Sequence, residues 1–211
     1  MNFNTIHLAS ILGITLLYSA PLILTAMGGI LSENVGVVNI GLEGMMTIGA
    51  LVGATVGFYS GNPWLALLCA GLGGMALALL HAIATINFGA DHVVSGTALN
   101  LLGPGLATYL ARLFFDGAAM TKPIPLENKL PRVFGHLLPA NNPIQIVIHQ
   151  YVTVYIAFIM VALVFFVLYR TKLGLRMRSV GEHPQAAETL GIDVYKIKYI
   201  GVLASGFAAS A

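Results

Sequence analysis

The sequence predicts an all-α fold: a polytopic bundle of transmembrane helices, some kinked or broken, with a short helix outside the membrane. Three observations carry this. No Lys or Arg occurs before Arg112, and Glu33, Glu43 and Asp91 are the only acidic residues before it. Residues 1–32, 44–90, 92–111 and 133–169 carry no formal charge, and about 20 mostly apolar residues suffice to cross about 30 Å of hydrocarbon. The composition agrees, with 57% hydrophobic and 9% charged residues, against about 25% charged in a soluble domain.

The elements follow in order. The first helix is expected over 5–31, with Pro21 as a kink. Residues 32–44 form a break that is small and apolar for a loop. A second helix over 45–59 stops at the turn-forming Ser60-Gly61-Asn62-Pro63. The third is expected over 64–88 and ends at a Gly89-Ala90-Asp91 turn. The fourth reaches 111, with Pro104 as another kink. Breaks at membrane depth survive only where protein or a wet cavity satisfies the freed backbone groups. From 112 to 148 the chain is read as one connection, because Pro123, Pro125, Pro131, Pro139 and Pro143 disfavour a continuous helix. A fifth helix covers 149–169, a polar segment 170–198, and a sixth apolar stretch starts at 199. That stretch ends at Ala211, too short to cross, so a C-terminally truncated chain is expected, the N-terminal part of one membrane domain over 1–211.

Charge sets the orientation. Arg170, Lys172, Arg176, Arg178, Lys196 and Lys198 cluster after the fifth helix, while Arg112, Lys122, Lys129 and Arg132 are spread through the longer connection. The positive-inside rule places 170–198 in the cytoplasm and 112–148 outside. The N-terminus has no basic n-region, so the first apolar segment reads as a retained helix. A net charge of +2 gives no concentrated basic face for nucleic acid. Cys69 is the only cysteine, so neither an internal disulfide nor a thiolate metal site can form.

Several constellations could bear chemistry. Gly49, Gly53, Gly57 and Gly61 recur every fourth residue, a spacing that lets two membrane helices approach closely, within the chain or across a dimer. Asn39 and Glu43 stand among glycines in the first break. A carboxylate there marks a cavity or a water interface, unless Glu43 simply caps the next helix; Asn39 could read hydroxyls or base edges of a polar solute. Asp91 opens the fourth helix as an N-cap, with Ser95 one turn on, Asn100 further down and Asn87 one turn before; together they could instead form a polar stripe along a path. His7, His81, His92, His136, His149 and His183 show no metal-ligand spacing. No Gly-x-Ser-x-Gly elbow and no Walker-type phosphate loop occurs, so no catalytic residue is assigned. In 170–198, Pro184 suits a first helical turn and Gly191 a stop, bracketing a short helix with Ala186 and Ala187. It reads either as a rigid knob for another protein or as a surface helix whose arginines and lysines reach lipid phosphates.

Residues 20–23 (Ala-Pro-Leu-Ile), 34–46 (Asn-Val-Gly-Val-Val-Asn-Ile-Gly-Leu-Glu-Gly-Met-Met), 90–102 (Ala-Asp-His-Val-Val-Ser-Gly-Thr-Ala-Leu-Asn-Leu-Leu) and 174–192 carry a resemblance. The chain resembles permease subunits of bacterial ABC-type importers for branched-chain amino acids, simple sugars and nucleosides, and is most similar to the purine-nucleoside permeases. The resemblance implies a multi-pass subunit of the cell membrane with no activity as an enzyme and no cofactor of its own. ATP would be hydrolysed on partner ATPase subunits, beside a second permease subunit and an extracytoplasmic substrate-binding lipoprotein. It implies that Gly181, Glu182, Pro184, Ala186, Ala187 and Gly191 form a cytoplasmic coupling helix. Asn39, Glu43, Asn87, Asp91, Ser95 and Asn100 are the expected substrate path. Sugar or branched-chain amino acid import is the alternative within that class, and a truncated, non-transporting remnant the alternative outside it.

Overall fold

The computed structural model describes residues 3–125, 128–135 and 142–211; His136 and Pro139 lie outside them. Among the described residues the elements are α1 (Phe3–Glu33), α2 (Leu42–Ser60), α3 (Pro63–Ala82), a π-helical turn (Ile83–Asn87), α4 (His92–Phe114), α5 (Pro143–Ile148), α6 (Val152–Arg170), α7 (Lys172–Glu182), α8 (Pro184–Thr189) and α9 (Val194–Ser210). No strand occurs among them; one isolated bridge joins Arg132 and Tyr151.

Four segments are long and apolar enough to cross a membrane: Thr5–Glu33, Leu42–Ser60, Pro63–Asn87 and Val152–Arg170. α4, the fourth expected helix, is 23 residues long, and Ser95, Thr97, Asn100, Thr108 and Arg112 make it less apolar than those four. Pro21 and Pro104 lie inside α1 and α4. In both cases the threonine four residues on donates its hydroxyl to the proline carbonyl at 2.8 Å (Thr25 and Thr108).

Helix ends follow local chemistry. Gly61 closes α2 in the left-handed conformation, φ +66°, with its N–H on the Gly57 carbonyl, a backbone state that glycine enters without a Cβ penalty. Asn62 then caps α3 by accepting from the Trp64 and Leu65 N–H groups, with Pro63 in the first turn, where its missing N–H is harmless. The same Asn-Pro pattern explains α5: Asn142 accepts from the Ile144 N–H at 3.0 Å, so Pro143 starts a short helix inside the connection where the prolines disfavour a continuous one. The polar segment also holds a helix that apolarity alone did not reveal. α7 is capped by Thr171 on the Gly174 N–H and buries Met177 and Val180.

The core forms around α9, which packs against α1, α2 and α3. Small residues set these contacts: Gly28 meets Ser205, Gly49 meets Ser210, and Gly206 meets Ala78 so closely that a Cβ would overlap it. Around them Val35, Met45, Ala78, Val180 and Val202 are fully buried. α2 and α4 run in the same direction, from Gly41 beside Leu99 to the Tyr59 hydroxyl on the Phe114 carbonyl. α6 covers α1 through Ala20, Leu24, Val154 and Ala157.

Candidate functional site

After Glu33 the chain does not continue straight into α2. The Gly36 and Val37 N–H groups turn back to the Glu33 and Ser32 carbonyls, and residues 37–41 enter the bundle without helical bonds. Val37 and Asn39 are 1% and 5% exposed, whereas Val38 and Ile40 are 44% and 40% exposed. This alternation is that of an extended segment. Its backbone groups need partners in an apolar interior, and other helices supply them.

The Val38 N–H donates to His92 Nδ1 at 3.2 Å. The Val38 carbonyl accepts from His81 Nε2 at 3.3 Å, and His81 Nδ1 lies 2.9 Å from Ser95 Oγ. A neutral imidazole that donates through Nε2 accepts through Nδ1, so the Ser95 hydroxyl donates. Asn100 bridges both sides of the start of α2: its Nδ2 donates to the Ile40 carbonyl at 2.9 Å and its Oδ1 accepts from the Gly44 N–H at 2.8 Å. Asn39 accepts from the Gly41 N–H at 3.1 Å and donates to Ser205 Oγ at 3.1 Å.

Three of the six path residues, Asn39, Ser95 and Asn100, therefore meet around the break. The other three stand apart. Glu43 is exposed in the first turn of α2, where the helix dipole favours a carboxylate. Asp91 caps α4, accepting from the Val93 and Val94 N–H groups at 2.9 and 3.0 Å. Asn87 closes the π-helical turn and accepts from the Tyr199 hydroxyl at 2.8 Å. Sequence reasoning missed His81, His92, Ser205 and Tyr199. For His81 there was a signal: a lone imidazole in an apolar span must find partners, and testing histidines only for metal spacing passed over it.

A cavity of about 490 Å³ lies beside α2, within the range of small-molecule sites. Gly49, Gly53 and Gly57 form one wall, with Pro21, Ala66 and Ser210 among the others. None of the six path residues lines it. Gly49 touches Ser210, Gly53 touches Ala70, and Gly57 touches Ala66 and Ile124, so this face both packs and borders open space.

The segment 170–198 reaches the break directly. Gly181, in the last turn of α7, lies against the Asn34 carbonyl and the Gly36 N–H so closely that no Cβ would fit. Glu182 is exposed, Pro184 starts α8, Ala186 is exposed and Ala187 buried. α8 ends at Thr189, and Gly191 follows with φ +77°. At the opposite end of the bundle, exposed Asp116 and Lys122 form a 2.8 Å ion pair. Hydrogen bonding from the Lys122 ammonium, then its charge, holds the Asp116 carboxyl below the usual carboxylate range and raises Lys122 in turn. Among the described residues no three His, Cys, Asp or Glu side chains converge to hold a metal ion.

Four helical spans able to cross a membrane, with a non-helical break between the first two, define a multi-pass membrane subunit. The chain belongs to the family described as branched-chain amino acid transport system / permease component, whose model matches residues 11–211. It is 44% identical over 213 residues to the guanosine ABC transporter permease protein NupQ of Bacillus subtilis, a match that covers 94% of this chain and 64% of NupQ. It is 42% identical to the nucleoside ABC transporter permease protein NupC of Lactococcus lactis, covering 90% and 62%. TsgC13 of Haloferax volcanii, provisionally named a glucose permease protein, is 37% identical, covering 96% and 61%. The chain thus spans less than two thirds of the length of these relatives. No solved structure matches it.

Proposed function

We propose that the chain is part of a permease subunit for ATP-driven import of nucleosides across a bacterial cell membrane. The observation that carries this is the similarity to two relatives named for guanosine and nucleoside transport, at 44% and 42% identity. In this reading the solute path passes the break at 34–41, where Asn39, Ser95 and Asn100 meet, with Glu43, Asn87 and Asp91 lying along it apart from that cluster. The subunit binds no cofactor itself; ATP is hydrolysed on partner ATPase subunits. A second permease subunit and an extracytoplasmic binding lipoprotein complete the importer.

The segment 170–198 faces the cytoplasm and docks the ATPase through Gly181, Glu182, Pro184, Ala186, Ala187 and Gly191. The contact of Gly181 with Asn34 and Gly36 gives this docking a mechanical route: a shift of α7 and α8 bears directly on the break. Because the interior is packed at short range, such a shift is transmitted rather than absorbed.

Uptake of labelled guanosine in cells with and without the gene tests the proposal. Deletion should abolish uptake, and excess glucose should leave the wild-type rate unchanged. Competition by glucose would favour the sugar reading, for which the similarity to TsgC13 speaks. Uptake that survives deletion would overturn the nucleoside reading.

A further inference from the structure

We infer that His81 and His92 are positioning residues of the path: together they clamp Val38 and so fix the register of the break. The inference rests on the transport reading above but assigns neither histidine a contact with solute. The two polar backbone groups of Val38 go to different helices, the N–H to His92 on α4 and the carbonyl to His81 on α3. Each bond alone would leave one rotation free. Both together set the backbone on either side of the residue, so that Asn39 points inward to Ser205 while Val38 and Ile40 point out of the bundle.

The clamp is itself held. His81 is fully buried, its Nδ1 is occupied by Ser95, and its own backbone carbonyl accepts from the Thr85 hydroxyl at 2.7 Å. The two rings stand edge to face, 6.5 Å apart. An imidazole committed at both nitrogens has one orientation, and this one is spent on a backbone with no helical partner of its own. A slip of one residue in this extended segment would turn Asn39 outward and an apolar side chain into the polar network. The histidines thus decide which side chains the break presents.

His92→Leu and His92→Asn separate the inference from a general folding role. Leucine removes the acceptor for the Val38 N–H, whereas asparagine retains one at nearly the position of Nδ1. The variants are made in the whole gene product with its partners in native membranes. The first readout is hydrogen exchange of the peptide carrying the Val38 N–H. His92→Leu should exchange it at least about tenfold faster than wild type, with α6 peptides unchanged, and His92→Asn should restore protection. The second readout is labelled guanosine uptake. His92→Leu should raise KM about fivefold, with membrane abundance and maximal rate per subunit retained, and His92→Asn should return KM to the wild-type value.

Unchanged exchange in His92→Leu would overturn the clamp. Faster exchange with a wild-type KM would overturn its role in the path, as would a fall in abundance and maximal rate with KM constant. If the wild-type gene confers no guanosine uptake, the transport reading fails and the clamp's role in the path fails with it; the exchange arm still decides separately whether the clamp exists.

Discussion

Asn100 shows how one side chain can hold a helix start that its own sequence leaves uncapped. The residue before α2 is Gly41, which offers no side chain, and the Gly44 N–H is one of the groups a helix N-terminus leaves without an intrahelical partner. Asn100 reaches across from α4 to take that N–H and to satisfy the Ile40 carbonyl. Asn100→Leu preserves bulk but leaves both groups unpaired, at a cost of about 1–3 kcal/mol for the more buried of them. The detergent-solubilised subunit should therefore melt several degrees lower, as read by a thermal-shift assay. An unchanged midpoint would mean that water replaces the amide and that the site is wetter than its packing suggests. The sequence put Asn100 among the path residues; what it could not supply was the partner, because Ile40 and Gly44 lie 60 and 56 residues away.

At the scale of elements, the apolar helices were legible because hydrophobic length is a local property, and the deviations have local causes. The second helix starts at Leu42 rather than 45 because Glu43 suits a first turn. The third ends its regular part at Ala82, where a π-helical turn takes over. α7 stayed hidden because its basic residues masked a buried stripe of Gly174, Met177 and Val180. α8 was visible because Pro184 and Gly191 punctuate it, although the helix itself stops at Thr189. That punctuation yields a test of the coupling role. Gly191 has open space around the position of a Cβ but a φ of +77°, so Gly191→Val strains the backbone by about 1–2 kcal/mol without a clash. Gly191→Asn tolerates the same conformation far better. Membrane abundance should be equal in both variants, while solute-stimulated ATP hydrolysis and uptake fall severalfold in Gly191→Val and only slightly in Gly191→Asn. If both variants transport as wild type, the α8 turn does not seat the ATPase.

At the scale of the whole chain the described residues form two distinguishable ends, and we propose from their charge that these lie on opposite sides of the membrane. At one end Asn128 lies beside Gly61, the Tyr59 hydroxyl meets the Phe114 carbonyl, and α5 packs on the first half of α1 near Gly13. At the other end α7 and α8 gather beneath the break, with Gly181 on Asn34. Six of the ten basic residues belong to the second end and four to the first. Lys122 is engaged with Asp116, but acidic neighbours weigh little in the positive-inside bias. Site-directed labelling turns this into a measurement. In a Cys69→Ser background, Met120→Cys reports the first end, where Met120 is 82% exposed. Lys196→Cys reports the second, where that side chain is 80% exposed, and five basic residues remain to hold the bias. A membrane-impermeant maleimide should modify Met120→Cys in intact cells and Lys196→Cys only after permeabilisation. The reverse pattern would put α7 and α8 outside the cell, away from any ATPase, and would remove the mechanical route from docking segment to break. Labelling of both positions in intact cells would point to a mixed topology, in which six basic residues against four are too few to orient the bundle.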